Sequence, residues 1–206
     1  MTPADVRRRW NEMGGRCGRN KLPEIVWRLY EDDAFTVGEC NGYRIFDTEL
    51  LAVAVQDAWS SAEYSEGALD GFFWVELFGS AYPHLTFPSA SITLYRGVRD
   101  AEWARRMSWT SSLESVRWFA NRYECTGTVY RIVDVDPQDV LAQIAEGRDE
   151  DEFVLYPEYL DDAPVQVMCS NAQCRSTVDR EALDDHAVDS EGHCWHSLNL
   201  VESVVG

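Results

Sequence analysis

Helical spacing of apolar residues dominates the first half of the chain. One helix is predicted over residues 47–63, with Asp47 or Thr48 as its N-cap, because five side chains fall on one stripe: Leu51, Val55, Ala58, Trp59 and Ala62. A second helix is predicted over 68–81, with one apolar face: Leu69, Phe72, Phe73 and Leu77. Residues 1–22 are basic and contain glycine, which indicates a loose or peripheral start.

After residue 89 the pattern changes to short β-branched and aromatic runs. These runs predict strands at 91–98, 127–135, 152–157 and 164–168, and a short strand or loop at 108–112. A helical turn is predicted at 101–107 and a helix at 113–123, where Ser111 and Glu114 have the spacing of a capping box. A further helix is predicted over 136–147, with Asp136 as its cap.

The order of these elements indicates an α+β protein with a helical beginning. We divide the chain into a helical N-terminal part (1–88), a strand-rich core (89–168) and a loop-rich, Cys/His-containing end (169–206). LNLVESVV, near the end, is a possible final strand. A chain of 206 residues with 45% hydrophobic residues is long enough to bury one sizeable core.

The net charge of the chain limits the kinds of partner that it is expected to bind. The chain has 36 acidic and 18 basic residues, for a net charge of −18, so binding to nucleic acid or anionic membranes through a basic surface is not expected. No apolar run approaches the roughly 20 residues of a membrane span. Neither an apolar signal region nor a disulfide framework is recognisable, and we therefore expect a cytoplasmic protein with reduced cysteines.

Three short motifs follow one another between residues 89 and 157. They are Arg96 in LYRGV, Ser108-Trp109-Thr110 before a helix, and Glu150-Asp151-Glu152 before the apolar run FVLYP. In this order they resemble the Arg–Ser–Glu class of mono-ADP-ribosyltransferases. The resemblance implies a core of two small packed sheets around a cleft for NAD. Only eleven residues separate Arg96 from Ser108, fewer than in many toxins of this family.

The resemblance also implies a role for each residue. Arg96 would bind the NAD diphosphate with its planar fork. Ser108 would order the strand beside the nicotinamide ribose and support the catalytic carboxylate, and Thr110 takes the third place of that motif. Glu152 would stabilise the positive charge that develops on the ribose when nicotinamide leaves. Glu150, two residues earlier on the same strand face, would engage an incoming arginine acceptor.

A second cluster of candidate ligands lies near the end of the chain. Its Cys and His residues fit a tetrahedral zinc site, and the favoured ligands are Cys169, Cys174, Cys194 and His196, with His186 or His193 as a substitute. Because cleavage of NAD needs no metal, we expect such a zinc ion to be structural. The alternative is that these are buried cysteines and surface histidines.

The sequence therefore predicts an intracellular NAD-dependent mono-ADP-ribosyltransferase that modifies a macromolecule, with protein arginine favoured. Two alternatives stay open. One is a noncatalytic interaction protein whose charge mimics nucleic acid, since residues 146–162 contain eight acidic side chains. The other is an NAD glycohydrolase that uses water as the acceptor.

The zinc hypothesis predicts about one zinc ion per chain by elemental analysis, the stoichiometry of one four-ligand site. Cys169→Ser or Cys174→Ser should lose the metal and lower the melting temperature, because metal binding stabilises a loop-rich segment. A preparation made without chelator that contains no zinc and gains no stability from added zinc would contradict it.

Overall fold

A computed structural model describes residues 2–121, 127–144 and 151–170, together with the backbone of two short strands, β9 (Ala187–Val188) and β10 (Cys194–Trp195). Helices dominate the first part and strands the second, so the expected α+β class is confirmed. Within the described ranges, no helix has the length and apolar character needed to cross a membrane.

The N-terminal part contains five helices and a hairpin. The helices are α1 (Pro3–Trp10), α2 (Leu22–Glu31), α3 (Thr48–Ser61), α4 (Ser65–Ala68) and α5 (Gly71–Ala81). The hairpin pairs β1 (Thr36–Cys40) with β2 (Tyr43–Phe46). Its turn is Asn41-Gly42, and both residues have positive φ (52° and 81°), as a tight hairpin requires.

The expectation of a loose start is wrong. Thr2 and Asp5 form a reciprocal capping box that starts α1, and Pro3 occupies the first turn. Trp10 at the end of α1 is fully buried, and its indole N–H donates to Asp57 Oδ2 of α3 at 2.6 Å. The cap was visible in the sequence, but the basic run between Val6 and Trp10 concealed the two buried side chains.

The two predicted helices of this part are confirmed as α3 and α5. Asp47 caps α3 by accepting from the amide of Leu50, and Asp70 caps α5 by accepting from the amide of Phe72. The predicted apolar face of this helix is only partly correct: Leu77 is buried and Leu69 packs against the core, but Phe72 is 67% exposed. The buried side chains of α5 are Trp74, Leu77, Phe78 and Ala81.

One six-stranded antiparallel sheet follows, in the order β6-β7-β4-β3-β5-β8. Its strands are β3 (Ile92–Val98), β4 (Ser108–Thr110), β5 (Thr128–Val135), β6 (Val140–Ile144), β7 (Glu152–Leu155) and β8 (Gln166–Ser170). The expected division into two sheets is corrected, because the strands are hydrogen-bonded in one order. The sheet nevertheless has two three-stranded halves, β6-β7-β4 and β3-β5-β8. They meet where β3 and β4 pair at Tyr95 and Thr110, and we call this short junction the seam.

The predicted helix over 136–147 is wrong beyond its first turn. Asp136 caps a single 3₁₀ turn, Pro137–Asp139, and the chain then enters β6. Val140 and Ile144 have helical spacing, but Leu141 and Ala142 between them are also buried. A run that is buried on both faces suits a strand inside a sheet, and here it pairs with β7.

Helix α6 (Leu113–Asn121) lies directly against β3 and starts beside β4. Ser112 caps it by accepting from the amide of Ser115 at 3.1 Å, so the predicted capping box of Ser111 and Glu114 is wrong by one residue. A Cβ on Gly97 of β3 would lie 2.2 Å from the carbonyl oxygen of Val116. Glycine is therefore required where the helix crosses the strand.

A single hydrophobic core joins the parts that the sequence separates at residue 88. Side chains of α3 and α5, among them Trp59 and Leu77, belong to the same buried cluster as Leu94, Trp109 and Phe153 of the sheet. Helix α7 (Pro157–Asp162) adds Leu160 to this cluster. The helical part therefore packs against the region of the sheet that contains β4 and β7.

Gly97→Ala is predicted to destabilise the fold by about 1–3 kcal/mol, the usual cost of overpacking, because the new methyl group meets backbone that cannot move freely. Gly79→Ala is the matched control: it lies in α5 with open space around its Cα and should stabilise by roughly 0.5–1 kcal/mol. Urea unfolding of both variants measures this difference. Equal effects would contradict the close approach of α6.

Candidate active site

Adjacent strands place Ser108 and Glu152 on one face of the sheet. β4 and β7 pair Thr110 with Glu152 and Ser108 with Val154, so Ser108 and Glu152 are diagonal neighbours. The Ser108 hydroxyl donates to Glu152 Oε1 at 2.5 Å. Two predicted site residues, 44 positions apart in sequence, are therefore in direct contact.

The same carboxylate oxygen receives a second hydrogen bond. Trp59 of α3 donates its indole N–H to Glu152 Oε1 at 2.8 Å. Glu152 is half-buried, and its other oxygen, Oε2, accepts no hydrogen bond from a described residue. The carboxylate is thus fixed through one oxygen, and the other is left to act on a ligand.

Arg96 crosses the seam between β3 and β4. Its Nε donates to the carbonyl of Trp103 at 2.8 Å, and its Nη1 donates to the carbonyl of Ser108. Burial lowers the pKa of Arg96, whereas the charges of Glu66 and Glu152 raise it. An arginine keeps its charge in proteins, and Nη2 donates to no described residue, so this atom is available to an anion.

All four of the predicted site residues that the structure describes line one cleft of about 780 Å³: Arg96, Ser108, Thr110 and Glu152. This volume lies in the range of roughly 300–1,000 Å³ that is typical of small-molecule sites. Residues from three strands of the sheet and from the α3–α4 region form its walls. The sequence motifs are therefore parts of one concave site.

The lining of the cleft carries charges of both signs. Three arginines line it, Arg96, Arg99 and Arg106, and so do four carboxylates, Glu63, Glu66, Asp100 and Glu152. Glu63 pairs with Arg19 at 3.2 Å, and Arg99 lies 3.8 Å from Asp100. Glu66 accepts from the amide of Met107 at 3.0 Å, just before β4. The three arginines therefore bring positive charge to a site in a chain with a net charge of −18.

Two exposed aromatic side chains lie at the cleft. Tyr64 is 61% exposed and Trp103 is 41% exposed, with ring centroids 6.1 Å apart in an edge-to-face arrangement. Both line the cleft. Flat apolar surface and hydrogen-bonding tips at such a position suit a ligand that contains planar rings.

Other sequence expectations are only partly met. Thr110 is buried and accepts from the amide of Ser112 at 3.0 Å, so its hydroxyl supports the entry into α6. The aromatic neighbours of Arg96 and Ser108 both line the cleft, Tyr95 half-buried and Trp109 fully buried. Trp118 of α6 is 57% exposed.

Some candidates lie outside the described residues. Glu150 is one, and the side chains of Cys169, Cys174, Cys194 and His196 are others. Among the side chains that the structure does describe, no group of three or more His, Cys, Asp or Glu residues is arranged to hold a metal ion. The zinc site therefore stays a prediction.

Comparison of the chain with protein-family models, with curated proteins and with solved structures finds no match. The function must therefore be argued from the cleft itself.

Several residues of the cleft were not identified from the sequence. Arg99 and Arg106 lie within ten residues of Arg96, and this closeness was an available signal. Trp59 and Glu66 are more than 80 positions before Glu152 and carried no signal for function. Trp59 was assigned only to the apolar stripe of a helix, because its partner is set by tertiary packing.

Proposed function

We propose that the chain is an NAD-dependent mono-ADP-ribosyltransferase. The observation that carries the proposal is the convergence of Arg96, Ser108 and Glu152 in one cleft, with the Ser108 hydroxyl bonded to the Glu152 carboxylate. Glu152 lies 44 positions after Ser108, and the pairing of β4 with β7 brings the two side chains together.

The chemistry proposed for Glu152 is electrostatic. The bond between C1′ of the ribose and the nicotinamide nitrogen breaks, and its electron pair leaves with nicotinamide. Positive charge develops on the ribose, and the carboxylate stabilises it. Oε1 is occupied by Ser108 and Trp59, so Oε2 is the atom we assign to the ribose and its 2′-hydroxyl. The acceptor then bonds to C1′ and loses a proton.

Arg96 is the residue we assign to the diphosphate. Its guanidinium is oriented by two backbone carbonyls, and Nη2 remains for a phosphate oxygen. Arg99 and Arg106 also line the cleft, and Arg99 lies 3.8 Å from Asp100. The proposed diphosphate contact therefore depends on the guanidinium of Arg96 itself, with Arg106 as a further positive charge in the lining.

Acidic residues at the cleft indicate the chemical class of the ADP-ribose acceptor. Glu150 matches the position that goes with arginine modification in the family, and Glu66 adds a carboxylate to the lining of the cleft, whereas Glu63 is already paired with Arg19. A guanidinium acceptor suits this surface, because it forms charge-assisted hydrogen bonds with carboxylates. We therefore propose a protein arginine as the acceptor, with water as the alternative that would make the chain an NAD glycohydrolase.

A noncatalytic charge mimic is less well supported. Such a protein would present its acidic side chains to solvent, as Asp151, Glu158 and Asp162 do. Glu152, in the same acidic stretch, is instead half-buried and held by two donors in the cleft. Cytoplasmic localisation, an ADP-ribosyltransferase-type core and a structural zinc ion complete the proposal.

Glu152→Gln is predicted to lower nicotinamide release from NAD by 10²-fold or more, roughly the effect of losing one group that stabilises transition-state charge. Glu158→Gln, an exposed carboxylate of α7, is the matched control and should leave the rate unchanged. Release can be followed by chromatography of labelled nicotinamide. An undiminished rate in Glu152→Gln would remove this residue from catalysis.

Glu150→Gln tests the acceptor separately. We expect it to reduce transfer of ADP-ribose to protein arginine while sparing release of nicotinamide to water, because only the acceptor contact changes. Labelled NAD in a host lysate, followed by identification of the modified residue, measures the transfer. A parallel fall of both activities would mean that Glu150 supports NAD cleavage itself, and the arginine inference would fail.

A further inference from the structure

Trp59 occupies an unusual place for a core tryptophan. It is 2% exposed and belongs to α3, yet its indole N–H reaches Glu152 of β7, 93 positions later in the chain. The motifs that identify the cleft all lie after residue 89 and do not include it. We infer that Trp59 is a positioning residue that fixes the Glu152 carboxylate for NAD cleavage, an inference that rests on the proposed function.

The surroundings of Trp59 restrict its ring. Trp74 packs edge-on against it with ring centroids 5.0 Å apart, and Phe78 does so at 5.7 Å. Both belong to α5 and are buried. The indole N–H therefore points in a direction that the core sets, and a buried N–H of this kind is costly to leave without an acceptor.

Two donors on one oxygen define the orientation of the carboxylate. Ser108 approaches Oε1 from the neighbouring strand and Trp59 approaches it from the helical part. A glutamate with a single donor can still rotate about its terminal bond, whereas donors from two directions hold its plane. Oε2 is then presented to the cleft before the ligand arrives, which is the preorganisation that charge stabilisation requires.

The expected effect is on the chemical step. Trp59→Phe keeps a buried aromatic ring and removes the N–H. We expect kcat for nicotinamide release to fall roughly 10- to 100-fold, the effect of losing one hydrogen bond to a charged group. KM for NAD should change little, because the ring system and diphosphate contact other residues and Glu152 acts mainly in the transition state.

Trp10→Phe is the matched control. Trp10 is also fully buried, and its indole N–H also donates to a carboxylate, Asp57 Oδ2 at 2.6 Å. It lies on α1 and does not line the cleft. This variant loses the same kind of hydrogen bond and should lose stability, yet its kcat should match that of the wild-type chain at a temperature where both are folded.

A second measurement tests the contact without any turnover. The indole N–H resonance of Trp59 can be assigned in ¹H–¹⁵N spectra of the wild-type chain through nuclear Overhauser contacts with the rings of Trp74 and Phe78, which pack against it. Glu152→Gln should move this resonance, because the acceptor loses its charge, and should leave the Trp10 indole resonance in place. An unmoved Trp59 resonance would overturn the contact, even if Trp59→Phe itself does not fold.

The outcomes separate the two proposals. If the wild-type chain releases no nicotinamide, the proposed function fails and the positioning role fails with it, whatever the spectra show of the contact. If the wild-type chain is active and Trp59→Phe keeps its kcat, the role of Trp59 alone is overturned. Equal losses of kcat in Trp59→Phe and Trp10→Phe would also overturn it, because the loss would then follow stability.

Discussion

The seam between β3 and β4 is the constraint on which the rest of the site depends. The two strands pair at Tyr95 and Thr110, and the Arg96 side chain crosses the gap to the Ser108 carbonyl. Arg96 therefore has two tasks in this account, because it joins the halves of the sheet and presents its remaining N–H groups to an anion.

The helical part completes the cleft. Helix α3 supplies the second hydrogen bond to Glu152, and the segment that follows it supplies Tyr64 and Glu66 to the lining of the cleft. Because this part shares one core with the sheet, its packing and the geometry of Glu152 are linked. The boundary predicted near residue 88 separates a helical part from a strand-rich part, but residues from both parts form the site.

Local sequence signals predicted most of the helices and strands. Where these predictions failed, contacts between distant parts of the chain determine the structure. Asp47 and Asp136 are local caps that the sequence predicts and the structure confirms. The Asn41-Gly42 pair is an equally local turn signal, but we did not predict the hairpin that it closes. The segment containing Val140 and Ile144 has helical spacing and becomes a strand, because β7 pairs with it. Arg96, Ser108 and Glu152 could be identified from sequence motifs. Trp59 could not, since only folding brings its indole to the carboxylate of Glu152.

The central claim is that this cleft binds NAD with the nicotinamide ribose at residue 152 and the diphosphate at Arg96. A crystal structure of Glu152→Gln soaked with NAD tests it directly, because slow turnover should keep the dinucleotide intact. The account predicts that the ribose lies against residue 152, beside Ser108, with a phosphate oxygen on Arg96 Nη2. NAD bound elsewhere, or a cleft that stays free of NAD at saturating concentration, would contradict it.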